Sequence, residues 1–128
     1  GDICHEKDNN IFLIGRSDNQ MNIGGAKVQA EIIEELIEAS IYIDECLCFE
    51  YPEKILGNTV AAIIDSSEEN INLKETLKDI FLDYPLFYLP TKILKVESIP
   101  KTYNGKKQRN KEELMRLFKW VLKILLQN

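Results

Sequence analysis

Residues 43–64, IDECLCFEYPEKILGNTVAAII, decide the fold. Ile43 to Phe49 alternates as a strand, and Asn58 to Ile64 (NTVAAII) is a second. Pro52 to Gly57 between them reads as a turn, so the stretch is a hairpin. Cys46 and Cys48 stand two apart on the first strand, which puts them on one face as buried residues. With Cys4 they make an odd count of three, which suits no disulfide framework and fits a reducing, cytoplasmic setting.

Upstream of the hairpin, Ala30 to Ser40 (AEIIEELIEAS) places Ile32, Ile33, Leu36 and Ile37 on one helical face. Glu31, Glu34, Glu35 and Glu38 fall on the other, expected to face solvent. Ile11 to Ile14 (IFLI) is a short strand ended by Gly15, and Arg16 to Gln20 reads as a polar connector. Downstream, Asn72 to Tyr84 carries Leu73, Leu77, Ile80 and Phe81 at helical spacing, broken by Tyr84-Pro85 and Leu89-Pro90. Lys92 to Val96 (KILKV) reads as a third core strand, and Ser98 to Arg109 as a polar loop. Asn110 is placed to cap a last helix, with Glu113 three residues on completing a capping box. In that helix Leu114, Leu117, Phe118, Val121, Ile124 and Leu125 make one apolar stripe that must bury against this domain or a partner.

The order strand, helix, hairpin, helix, strand, helix gives an α+β fold. Helices pack on a small three-stranded mixed sheet, with a short N-terminal strand segment and a C-terminal amphipathic helix. The 128 residues suffice for one such domain. No apolar run approaches the roughly 18 residues of a membrane span, and Gly1 to Asn10 is polar, unlike a secretory signal. Gly1 in place of a methionine is expected of a chain processed or cut from a longer one. His5, the one histidine, sits in this polar leader without a second good metal ligand beside it. Charge is unevenly spread: residues 1–91 hold 6 basic and 18 acidic side chains, residues 92–128 hold 10 and 3. The basic third could meet an anion such as a nucleotide phosphate, or be the solvated face of a basic helix. Nucleic acid is disfavoured, because only Tyr103 offers an aromatic in the basic loop.

Two loops carry the candidate chemistry. One is Gly15-Arg16-Ser17-Asp18-Asn19-Gln20 followed by Ile23-Gly24-Gly25-Ala26-Lys27-Val28; the other is Ile99-Pro100-Lys101-Thr102-Tyr103-Asn104-Gly105-Lys106-Lys107-Gln108-Arg109. The second lacks the glycines and Ser/Thr of a phosphate-cradling P-loop, and alone it is an exposed turn with a solvated lysine. Together, in this order and about 90 residues apart, with Gly1-Asp2-Ile3 ahead of Gly15-Arg16-Ser17-Asp18, they resemble the C-terminal domain of adenylate-forming enzymes. That superfamily takes in acyl-CoA synthetases, peptide-synthetase adenylation domains and luciferases, and the resemblance runs from Gly1 to Arg109.

The resemblance implies that residues 1–17 are the tail of a large N-terminal domain with its linker, and residues 18–128 a mobile C-terminal domain. It implies that Asp2 and Arg16 attend the ATP ribose, and that Asp18 is the hinge between two catalytic poses. Gly24 and Gly25 match glycines that pass the pantetheine arm of CoA or a carrier protein. Lys106 matches the lysine delivered for acyl-adenylate formation, and Lys107 is its near neighbour. ATP with magnesium, a carboxylic acid and a thiol acceptor are then the reactants of an acid–thiol ligase. The isolated chain is expected to be nearly inactive. Departures from the pattern are Asn22 for a common lysine, Ile32-Ile33-Glu34 for Glu-Ile-Glu, and Ala30 where CoA ligases often carry proline. Gln20 leans towards peptide synthetases and Gly24-Gly25 towards CoA ligases, so the acceptor stays open. A stand-alone, non-catalytic binding module derived from such a domain is the alternative.

Overall fold

The computed structural model describes residues 1–8, 10–55 and 57–127, with the side chains of residues 10–14 and 127 outside that description. At its centre lies the expected hairpin. Strands β5 (Glu45–Tyr51) and β6 (Thr59–Asp65) pair antiparallel, with Cys46 opposite Ile64 and Cys48 opposite Ala62. Leu56, inside the expected turn at Pro52 to Gly57, lies outside the described residues. Strand β7 (Lys92–Val96) joins β6 in parallel, Ile63 against Leu94, giving the sheet order β5-β6-β7. A parallel neighbour requires a crossover, and helix α2 (Leu73–Ile80) lies within it.

Alternation along the strands gives the sheet two apolar faces. Cys46, Cys48, Val60, Ala62 and Ile64 lie on one, packed with Ile33 and Ile37 of α1 (Ala30–Glu38) and Leu77 of α2. Leu47, Phe49, Ala61 and Ile63 lie on the other, packed with Leu114 and Phe118 of α3 (Lys111–Gln127). The sheet is thus sandwiched between helices rather than covered on one side. Fully buried aliphatics such as Ile33, Ile37, Leu47 and Ile63 each contribute about 1.5–3 kcal/mol of hydrophobic stabilisation.

Ahead of α1 stand two further hairpins. β1 (Asp2–Lys7) pairs with β2 (Asn10–Arg16), which contains the expected Ile11 to Ile14 strand. A 3-10 turn at Ser17–Asn19 leads into β3 (Gln20–Ile23), which pairs with β4 (Ala26–Gln29) across Gly24-Gly25. Arg16 to Gln20 is therefore no plain connector. Four-residue strands leave little periodicity to read: β3 buries only Met21 and Ile23.

The later elements follow their local signals. Asn72 caps α2 by accepting from Glu75 N–H at 3.2 Å, and the helix ends at Ile80, short of the expected Tyr84, before a 3-10 turn at Leu86–Tyr88. Asn110 caps α3 by accepting from Glu113 N–H at 3.1 Å. The capping box is only half formed, because the Asn110 N–H donates to Gln108 Oε1 instead. The apolar stripe of α3 divides. Leu114 and Phe118 are buried, whereas Ile124 is 38% and Leu125 64% exposed. Among the described residues no helix is long and apolar enough to cross a membrane.

Candidate functional site

Helix α1 forms one wall of an open groove of about 1050 Å³. Its residues Glu31, Glu34, Glu35 and Glu38 face the loop at 102–110, and Arg16, Asp18 and Asn19 also line the groove. Lys106, Arg16 and Asp18 are thereby brought to one place. Asp2 touches the same region through Arg16, whose guanidinium lies 3.2 Å from Asp2 Oδ1 and 3.4 Å from Asp18 Oδ1. All three side chains are largely exposed, so these pairs orient more than they stabilise. Gly24 and Gly25 are not part of the groove. They form the exposed tip of β3–β4 with φ of +57° and +88°, angles that favour glycine.

The segment around Asp18 is fastened by Glu31, which no motif singled out. Its Oε2 accepts from the Arg16 N–H at 2.9 Å and from Asn19 Nδ2 at 3.0 Å, and its Oε1 accepts from Gln29 Nε2 at 2.7 Å. Gln29 Nε2 also donates to the Arg16 carbonyl at 2.6 Å. Partial burial pushes the Glu31 carboxyl pKa up, but the hydrogen bonds from Asn19, Arg16 and Gln29 outweigh it and hold the group below its ordinary value. Gly15 permits this approach: a Cβ there would sit 2.7 Å from Gln29 Nε2 and from Glu31 Cδ.

The lysine loop is a fastened turn. Gly105 N–H donates to the Thr102 carbonyl at 3.0 Å, with Gly105 at φ +82°, and Thr102 N–H donates to the Lys106 carbonyl at 2.7 Å. Apart from one isolated bridge between Lys101 and Lys107, residues 99–109 form no strand or helix. Ile99 is buried in the core at one end, and Lys101 pairs with Glu45 at 2.5 Å. Successive side chains then diverge. Lys106 is exposed, with no carboxylate at ion-pair distance among the described residues. Lys107 turns inward to Glu34 Oε1 and Glu38 Oε2, each at 3.1 Å. Burial lowers the Lys107 pKa, but the charges of Glu34 and Glu38 prevail and raise it. Arg109 grips Glu34 with both terminal nitrogens, at 2.8 and 2.7 Å.

Glu34 is a correction to the solvent-facing glutamate row expected of α1: it is only 2% exposed. Besides its cationic partners it accepts from the Cys48 N–H at 2.8 Å, so a buried charge is fully compensated. Sequence reasoning missed it because Lys107 and Arg109 lie 73 and 75 residues away. Half of the ten basic residues in 92–128 pair with acids of residues 1–91. Lys92 meets Glu53, Lys101 meets Glu45, and Lys111 lies 3.9 Å from Glu50. Cys46 and Cys48 are buried with their sulfurs 3.7 Å apart, and burial pushes the Cys48 thiol pKa up. Among the described residues no three His, Cys, Asp or Glu side chains gather as a metal site.

By sequence and by fold the chain is homologous to the adenylate-forming acyl-CoA and peptide synthetases. It is 31% identical over 100 residues to the oxalate–CoA ligase of Saccharomyces cerevisiae, covering 77% of this chain and 18% of that protein. Over 121 residues it is 29% identical to the D-alanine–D-alanyl carrier protein ligase of Bacillus licheniformis, covering 89% of this chain and 24% of that one. Its fold matches ATP-bound MatB from Rhodopseudomonas palustris with a TM-score of 0.74 at 21% identity, over 91% of this chain and 23% of that one. The chain spans no more than 24% of the length of these curated relatives. No family model matches it.

Proposed function

We propose that this chain is the C-terminal domain of an AMP-forming acid–thiol ligase, carrying Lys106 to a nucleotide held by a large N-terminal domain. The observation that carries the reading is the groove in which Lys106, without a carboxylate partner among the described residues, shares space with Arg16 and Asp18. In the first half-reaction a carboxylate oxygen of the acid attacks the α-phosphorus of magnesium-bound ATP. A P–O bond forms, the bond to pyrophosphate breaks, and acyl-AMP results. Negative charge grows on the phosphoryl oxygens, and a preorganised ammonium stabilises it without reorganising. Asp2 and Arg16 attend the ribose. Residues 18–128 then turn about Asp18 against residues 1–17 and the large domain, withdrawing Lys106. The β3–β4 tip with Gly24-Gly25 takes its place, and the thiol of CoA or a carrier protein displaces AMP to give the thioester. That Lys106 and the Gly24-Gly25 tip occupy separate surfaces supports an exchange of faces. The isolated chain lacks the nucleotide and acid pockets of this scheme and is expected to be nearly inactive.

The test is ATP–pyrophosphate exchange by the intact ligase polypeptide that carries this chain. Lys106→Ala is expected to lower exchange by about 100- to 1000-fold, the cost of one preorganised donor. Unchanged exchange removes Lys106 from the first half-reaction.

A further inference from the structure

Three basic residues follow Gly105 within four positions, and the fold treats them differently. Lys106 faces the groove and solvent, while Lys107 and Arg109 turn back onto α1. What turns them is one carboxylate. Glu34 lies beneath the loop, takes Arg109 as a two-pronged fork, shares Lys107 with Glu38, and is itself held by the Cys48 N–H of the central sheet. A carboxylate bonded to β5 is thus bonded directly to the loop. Arg suits this place because its planar fork fixes direction as well as distance, which a lysine cannot do. Lys107 would be the competing ammonium if the loop slipped by one residue, and the second acid, Glu38, holds it out of that position.

We propose that Glu34 is the positioning residue of the lysine loop: through Arg109 and Lys107 it fixes the register in which Lys106, of the three basic side chains, is left in the groove without a carboxylate partner among the described residues. This rests on the ligase reading for its catalytic consequence, but not for its geometry. Two measurements separate the two. In the chain as it stands, acylation by an amine-reactive ester, read by peptide mass spectrometry, should label Lys106 at least about tenfold faster than Lys107, because a half-buried, ion-paired ammonium must first lose its partners. Glu34→Gln, which leaves Lys107 only its Glu38 partner, should narrow the difference. Equal labelling in the unaltered chain, or a preference unchanged in Glu34→Gln, overturns the proposal.

In the intact ligase polypeptide, Glu34→Gln and Arg109→Lys are expected to lower pyrophosphate exchange about 30- to 100-fold, the cost of misplacing a reacting group by about 1 Å. The fall should lie in kcat, with thioester formation from supplied acyl-adenylate changed less than about threefold, since that step has released Lys106. A parallel loss of both half-reactions overturns the positioning role and leaves Glu34 a structural residue; no loss in either also overturns it. Arg109→Lys keeps the charge and tests the fork even where Glu34→Gln fails to fold. Lys106→Ala, assayed beside them, separates the failures. If it leaves exchange intact, the ligase reading falls; if it alone lowers exchange, only the role of Glu34 falls.

Discussion

Gly24-Gly25 and Thr102 to Gly105 are both tight turns with glycine at positive φ, yet they are built to opposite ends. At the first, a Cβ placed on either glycine would meet nothing within 4 Å, so the backbone itself is the exposed feature. The second is held at Ile99, Lys101, Lys107 and Arg109, and what it exposes is the side chain of Lys106. Local turn grammar is nearly the same in both. The difference lies in tertiary anchoring: one turn exposes bare backbone, the other exposes a charged side chain on a loop tied down on both sides.

The comparison breaks most directly on a crossed pair of variants. Lys106→Ala should cost about 100- to 1000-fold in pyrophosphate exchange and spare thioester formation from acyl-adenylate. Gly25→Val should do the reverse, slowing thioester formation by about tenfold or more with exchange retained, because a branched side chain then stands where only backbone was. If both variants slow the same half-reaction, the two turns do not divide the chemistry. A smaller effect sharpens the point. Gly24→Ala and Gly105→Ala should each lower stability by about 1–2 kcal/mol in denaturant unfolding, since both force an L side chain to positive φ. Only Gly105→Ala should also alter the labelling of Lys106. Smaller again, Asn110→Ala should cost about 1 kcal/mol by removing the cap of α3.

The smallest expected effects depend on pH. Glu31 has a folded pKa below its ordinary value of 4.5, so its contribution is present above that pH and is lost as pH falls through the folded value. Glu31→Gln should therefore flatten the acid limb of a stability–pH curve. Lys107 has a folded pKa above 10.5, so its contribution is present below that pH and is lost as pH rises through the folded value. Lys107→Met should flatten the alkaline limb, and a variant curve parallel to the parent's would remove the corresponding ion from the account.

Much of this architecture was legible from periodicity. The β5–β6 hairpin, the Lys92–Val96 strand, the core face of α1 and the cap at Asn110 are all signals carried within a few residues. What was not legible is long-range. Glu34 looks like any outward glutamate in AEIIEELIEAS until Arg109 arrives from 75 residues away. The charge imbalance between the two parts of the chain reads equally as a surface for an outside anion or as a solvated basic face. In the folded chain much of it closes into pairs such as Lys101 with Glu45, which sharpens the contrast with Lys106. Glu31 escaped notice for the same reason: its value lies in a backbone N–H fifteen residues earlier.

Those distant anchors also set an order of assembly. Glu34 and Glu45 belong to α1 and β5, and the loop's cations reach them across 75 and 56 residues. Long loops close late, after local helices and hairpins have formed. A chain emerging from the ribosome therefore completes its sheet before the ammonium of Lys106 acquires a fixed direction. Half-folded copies hold Lys101, Lys107 and Arg109 without their carboxylate partners, so the loop takes its shape only once the rest of the domain has formed.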